Sequence, residues 1–194
     1  MVTRVPGEEV ASVSASGSIR RSRIAYVVAK LRIRGQDYLL LNAHRKWGDW
    51  SLPGGHVEPY DADFWAAAVR ETTEELEPLR YGEDLEVQRE QLTCSEWGPV
   101  ASTSAGGALT LYQAAFHSLQ FKTNPKDCLE RLPQGDFQLF RLRDLDTTNN
   151  VASVVKMLGE LLPGGWQTLP LSWNDDLDDA PLRRTASIHS LPVD

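Results

Sequence analysis

Cysteine is scarce. Cys94 and Cys128 are the only two in 194 residues, too few and too far apart for a disulfide framework or a zinc knuckle, which leaves two reduced thiols in a cytosolic protein. Long apolar runs are absent as well. None approaches the ~20 residues needed to cross a bilayer, and the first 23 residues, MVTRVPGEEVASVSASGSIRRSR, lack the apolar stretch of a signal peptide. The expectation is a cytoplasmic protein that neither inserts into nor crosses a membrane. Positive charge is also short: 20 Lys and Arg face 27 Asp and Glu, a net charge of −7. Polynucleotide surfaces need clustered cations to neutralise phosphates, so long nucleic acid is not an expected partner. An acidic chain can still handle a phosphorylated small molecule by recruiting a divalent cation. There is no internal repeat, and His44, His117 and His189 show no metal-ligand spacing.

What is present suffices for one domain, since 41% of the residues are hydrophobic and a chain of this length buries a real core. IAYVVAKLRI (Ile24 to Ile33) and DYLLLNA (Asp37 to Ala43) are β-prone runs joined at Arg34, Gly35 and Gln36, which reads as a hairpin. After a polar connection with two tryptophans and a Pro53-Gly54-Gly55 turn, DADFWAAAVRETTEEL has the alanine content and Asp-rich start of a helix that Pro78 ends. Further strands are expected at Leu85 to Trp97, Ala108 to Phe121 and Phe137 to Leu145, with KTNPKDCLERLPQGD, Lys122 to Asp136, as a polar loop. Asn150 to Leu162 repeats apolar residues at helical spacing, and Gly164 and Gly165 stop it. Strands, one long helix, more strands and a closing helix make an α+β sandwich of sheet and helices. Residues 1–21 read as a lead-in, 22–163 as the domain and 164–194 as an appendage with little periodicity.

The long helix gathers Glu71, Glu74 and Glu75. Residues three and four apart share a helix face, so the three carboxylates converge on one patch. Phe64, Ala68, Thr72, Leu76 and Leu79 form a separate stripe that packs on the sheet. Each like-charge pair costs an isolated helix roughly 0.2–0.5 kcal/mol. A divalent ion reverses the sign of that cost, because Mg²⁺ favours carboxylate oxygens and is shared with substrate phosphates. Gly54 and Gly55 let the backbone come close to the same ion without a side chain in the way.

These residues resemble the signature box of the Nudix hydrolases, G-x5-E-x7-R-E-u-x-E-E-x-G-u with u aliphatic. Arg70-Glu71-Thr72-Thr73-Glu74-Glu75 matches every charged position of R-E-u-x-E-E, and Leu52 to Pro59, LPGGHVEP, is similar to the approach to that box. The resemblance covers residues 22–163 and implies a Nudix-type α/β/α sandwich with a mixed sheet between helices. Four departures stand out. Asp61 takes the place of the first glutamate, its spacing being one residue too long, with Asp63 as the alternative; Thr72 replaces an aliphatic residue, and Glu77-Pro78 stands where the family has G-u. In the family the first acid orients the arginine.

Carried over, Glu71, Glu74 and Glu75 together with the Gly55 carbonyl are implied ligands of Mg²⁺ or Mn²⁺, and Arg70 is the orienting ion-pair partner. The reaction implied is attack of a metal-activated water on a diphosphate linkage in a nucleoside diphosphate derivative. The family often takes a further acid from a distant loop, and Glu130 is the first candidate, with Asp127 and Asp136 behind it. Arg45 and Lys46 are candidate phosphate contacts, His56 a candidate substrate contact, and Trp50 or Trp47 a candidate stacking partner for a base. The expected partner is a small-molecule nucleotide, and a homodimer stays open. The other reading is an inactive Nudix-like module that binds a nucleotide or a protein without turnover.

Overall fold

The computed structural model describes residues 19–44, 48–102 and 105–182. The expected first strand divides at Ala29 into β1 (Arg20–Val28) and β2 (Lys30–Ile33), which belong to different sheets. β2 turns into β3 (Gln36–His44) through Arg34 and Gly35, at φ 50° and 70°. Positive φ at both central residues matches the right-handed twist of a hairpin, which is why glycine serves there. β3 also pairs with β4 (Asp49–Ser51) and with β8 (Phe137–Arg141), where Asn42 opposes Phe137.

The other sheet runs in the order β5 (Gly54–His56), β1, β7 (Ala108–Phe121), β6 (Leu85–Ser102). β1 and β7 are parallel while the flanking pairs are antiparallel, so the sheet is mixed. Strand pleating sends neighbouring residues to opposite faces. Ala25, Val27 and Ala115 accordingly share one core with Phe64, Ala67 and Ala68 of helix α1 (Phe64–Glu75), whereas Val28, Ala114 and Phe116 share the other with Val155 and Leu158 of helix α3 (Ser153–Leu161). The architecture is thus α+β, with helices on both sides of mixed β-structure. Among the described residues, no helix is long and apolar enough to cross a membrane.

α1 begins where Asp63, in extended backbone, accepts a hydrogen bond from the Ala66 amide at 2.8 Å. Such a cap contributes about 1 kcal/mol. The stripe expected from sequence is the buried one: Phe64, Ala68, Thr72, Leu76 and Leu79 all face inward.

Three expectations need correction. The segment Lys122 to Asp136 is not all loop, because Pro125–Arg131 forms helix α2, started by Asn124, whose side chain accepts from the Lys126 amide at 3.0 Å. Seven residues make roughly two turns, too few to display a period. The strand expected to run to Leu145 stops at Arg141 and continues as a 3₁₀ turn over Leu142–Asp144. Third, the stretch from Gly164 to Leu182 is no appendage. Trp166, Leu169, Leu177 and Leu182 are buried, and a Cβ at Gly159 would collide with the Trp166 ring, so that glycine admits the indole onto α3. Lys30, almost wholly buried, ties this segment down: its Nζ donates to the Leu169 carbonyl at 3.0 Å and the Gln167 carbonyl at 3.2 Å, and pairs with Asp37 at 3.2 Å. The Lys30 and Ser172 backbones also bond at 2.8 Å. A buried ammonium is tolerated because all three of its donors are used.

Candidate functional site

β5 brings the Gly54-Gly55 turn against β1, with Gly54 opposite Tyr26 and Gly55 opposite Ala25. Both glycines are required by space. Gly54 has φ 145°, and a Cβ there would run into the Ala25 carbonyl; a Cβ at Gly55 would overlap the Glu71 carboxylate. Glu71 and Glu75 of α1 therefore lie directly on the turn. Glu75 Oε2 accepts from the Gly54 amide at 2.8 Å and from Asn42 Nδ2 at 3.1 Å.

Arg70 organises the other side. Its guanidinium forks onto Asp61, Nη2 to Oδ2 at 3.0 Å and Nε to Oδ1 at 3.3 Å, and reaches Glu71 Oε1 at 2.7 Å and the His56 carbonyl at 2.8 Å. A longer contact, 3.4 Å, goes to Glu74. Two-pronged arginine–carboxylate pairs fix orientation as well as charge. The two candidates for the arginine's partner are thereby told apart: Asp61 holds Arg70, while Asp63 caps the helix and touches Arg89 at 3.4 Å.

The electrostatics follow from these contacts. The hydrogen bonds from Arg70 hold the Asp61 carboxyl below its ordinary range. Burial raises Glu71 despite the opposing bond from Arg70, and Glu74 and Asp61 add to the rise. Glu75 is pushed up to about 7, first by burial and then by repulsion from Glu71 and Glu74, with the Gly54 amide opposing. Burial and mutual repulsion thus disfavour the charged form of both carboxyls, even though Glu71 is paired with Arg70. Glu74 is the outlier, its side chain 59% exposed. Among the described residues, no group of three or more His, Cys, Asp or Glu is placed to enclose a metal ion.

Beside this rim opens a cleft of about 470 Å³, a size typical of small-molecule sites. Its lining includes Gly54, Gly55, His56 and Glu75, together with Asn42, His44, Asp49, Trp97 and Tyr112. Of the residues expected from sequence, Gly55, His56, Arg70, Glu71 and Glu75 are brought together, with Glu74 at the margin. Trp50 does not line the cleft; its ring packs on Phe140 at 5.4 Å between centroids. Glu130 is exposed on α2 and does not line the cleft, nor does Asp127 on the same helix. Asp136 is nearer, since its carbonyl accepts from the amide of Ala43, next to Asn42. Arg45, Lys46 and Trp47 lie outside the described residues.

Sequence reasoning passed over Tyr26, Asn42, Asp49, Trp97 and Tyr112. Only Asn42 carries a local signal, a polar residue closing the apolar run YLLLNA.

The family model described as NUDIX domain matches residues 21–143. The chain belongs to the NUDIX family. No curated protein matches it. Among solved structures, this NUDIX chain is similar to Shewanella oneidensis NrtR, at 17% identity and a TM-score of 0.50 over 70% of this chain and 59% of that one. It is also similar to the Caenorhabditis elegans Ap4A hydrolase, at 22% identity and 0.49 over 71% and 92%, and to RenU, a Nudix hydrolase from M. smegmatis, at 21% and 0.46 over 76% and 88%. The chain spans about three-fifths of the length of NrtR. At such identities the likeness is one of fold.

Proposed function

We propose that the protein is a metal-dependent pyrophosphohydrolase that cleaves a diphosphate linkage in a nucleoside diphosphate derivative. The observation that carries this reading is the arrangement at the glycine turn: Arg70, held by Asp61 and the His56 carbonyl, positions Glu71 against Gly55, while Gly54 and Asn42 present Glu75 to the cleft.

The donor set suits Mg²⁺ or Mn²⁺. Glu71, Glu75 and the Gly55 carbonyl offer hard oxygens, Glu74 a further one at the exposed rim, and Mg²⁺ is commonly held by only one or two carboxylates, with water and substrate phosphates completing its shell. When bound, the cation supplies a lowered pKa for the attacking water and neutralises charge on the leaving oxygen. The chain's own share is positional. Arg70 keeps the Glu71 carboxylate from turning away; the Gly54 amide and Asn42 occupy Oε2 of Glu75 and leave Oε1 outside those two bonds. His56, exposed and lining the cleft, is the proposed phosphate contact. Pre-set geometry of this kind is what the protein contributes to phosphoryl and diphosphate chemistry.

Release of phosphate or nucleoside monophosphate from a panel of nucleoside diphosphate derivatives, with Mg²⁺ or Mn²⁺ and then with chelator, tests the proposal. Metal-dependent cleavage of at least one compound is expected. Nucleotide binding with no turnover across the panel would replace it with the second reading, a binding module, which the exposure of Glu74 favours.

A further inference from the structure

The sheet that carries the carboxylate rim at one edge carries an aromatic pair at the other. Gly54 and His56 belong to edge strand β5 and Trp97 to the opposite edge strand β6, with β1 and β7 between. Three strand spacings, about 14 Å, separate the two ends. Both ends open into the same cleft.

Trp97 and Tyr112 are directly opposed in the β6/β7 register, so they stand on one face of the sheet. Their rings are stacked, 5.3 Å between centroids and 14° apart in plane. The Tyr112 hydroxyl donates to Ser102 Oγ at 2.6 Å, which pins the phenol and, through it, the indole. Trp50 and Trp97 are both half-buried indoles packed against the same core, and of the two it is Trp97 that lines the cleft. Trp97 is only half-buried and sits between exposed Glu96 and Gly98.

We infer that Trp97, backed by Tyr112, is the base-stacking residue of the cleft, and that the compounds it accepts carry an aromatic base at the end remote from the glutamates. The inference rests on the proposed reading, in which the diphosphate lies against Glu71 and Glu75. Every nucleobase has a π face, so a stacking platform selects nucleotides over base-free phosphates without choosing among bases.

AMP and ribose 5-phosphate differ only in the base, so their binding to the full chain by calorimetry isolates this contribution. Wild type is expected to bind AMP roughly 5- to 150-fold more tightly. Trp97→Ala should bring the two to near parity, and Trp97→Phe, which keeps a ring at the same edge, should retain most of the preference. Near parity in the wild type, or an unchanged preference in Trp97→Ala, would overturn the assignment, and the wild-type comparison decides even where the alanine variant does not fold. Binding is read here without turnover. Failure to hydrolyse any diphosphate would strike the hydrolase reading alone, whereas near parity in an active enzyme would remove the base subsite alone.

Discussion

The Gly54 amide and the Glu75 carboxylate meet at 2.8 Å, a bond between the turn that enters the domain's long helix and the last residue of that helix. It anchors one oxygen of a carboxylate that burial and two neighbouring glutamates push up to about 7. Glu75→Gln preserves shape and an acceptor for Gly54 while removing the charge. The expected result is a folded protein whose turnover falls by more than roughly tenfold, the lower end of what partners in a metal site contribute. Near wild-type rates at limiting Mg²⁺ would place catalysis elsewhere.

The same carboxyl makes stability depend on pH. Its folded value lies above the ordinary 4.5, so the folded state holds the proton more tightly than the unfolded chain does. The contribution to stability is therefore fully present below about pH 4.5 and is lost as pH rises through about 7. In chelator, wild type should lose stability across that window relative to Glu75→Gln, which has no proton to release there. Denaturant unfolding of both at pH 5 and pH 8 checks this; parallel changes would show that the site does not carry the raised value.

Asp61 and Asp63 separate orientation from capping. Asp61→Asn keeps the shape but removes the charge opposite Arg70, so turnover should fall while α1 stays capped. Asp63→Ala should cost about 1 kcal/mol of stability and leave the rate per folded molecule near wild type. Reversal of the two outcomes, read by activity alongside thermal unfolding, would reassign the roles.

That pair also marks the limit of sequence reading. A helix start and an arginine partner both call for aspartate, and spacing alone leaves two candidates; only the hydrogen bonds of Ala66 and Arg70 assign them. α1 was legible because its buried stripe and its acidic face have different phases. The opposition of Trp97 and Tyr112 was not, since β6 and β7 shift register between Val87 and Gln91, between Gln91 and Thr93 and between Trp97 and Val100. No count of residues from the turn recovers that pairing. Leu169, Leu177 and Leu182 were missed for a related reason: irregular chain presents no period, even where it packs against a core.

The packed C-terminal stretch predicts a sharp boundary for truncation. A chain ending at Trp166 loses the burial of Leu169, Leu177 and Leu182, about 1.5–3 kcal/mol for each fully buried side chain, together with the two carbonyl acceptors of Lys30. It should be strongly destabilised or fail to fold. A chain ending at Leu182 keeps every one of these contacts and should melt near the full-length protein. Equal melting temperatures for the two truncations would show that residues 167–182 add nothing to the core.

The proposed metal would couple to stability through Glu71. Its raised carboxyl means that burial, with repulsion from Glu74 and Asp61, outweighs the bond from Arg70, so the metal-free fold favours a neutral group there. Glu71→Gln should then be at least as stable as wild type at neutral pH in chelator. With Mg²⁺ or Mn²⁺ the order should invert: an ion that binds only the folded wild type stabilises it by about 2.7 kcal/mol at a hundredfold excess over its dissociation constant, and the variant, with a weaker ligand, gains less. The control is NaCl at matched ionic strength, because screening alone relieves repulsion among exposed charges. A wild-type melting curve in Mg²⁺ that coincides with the NaCl curve would leave the glutamates without a bound ion and remove the metal from the mechanism, whatever the substrate.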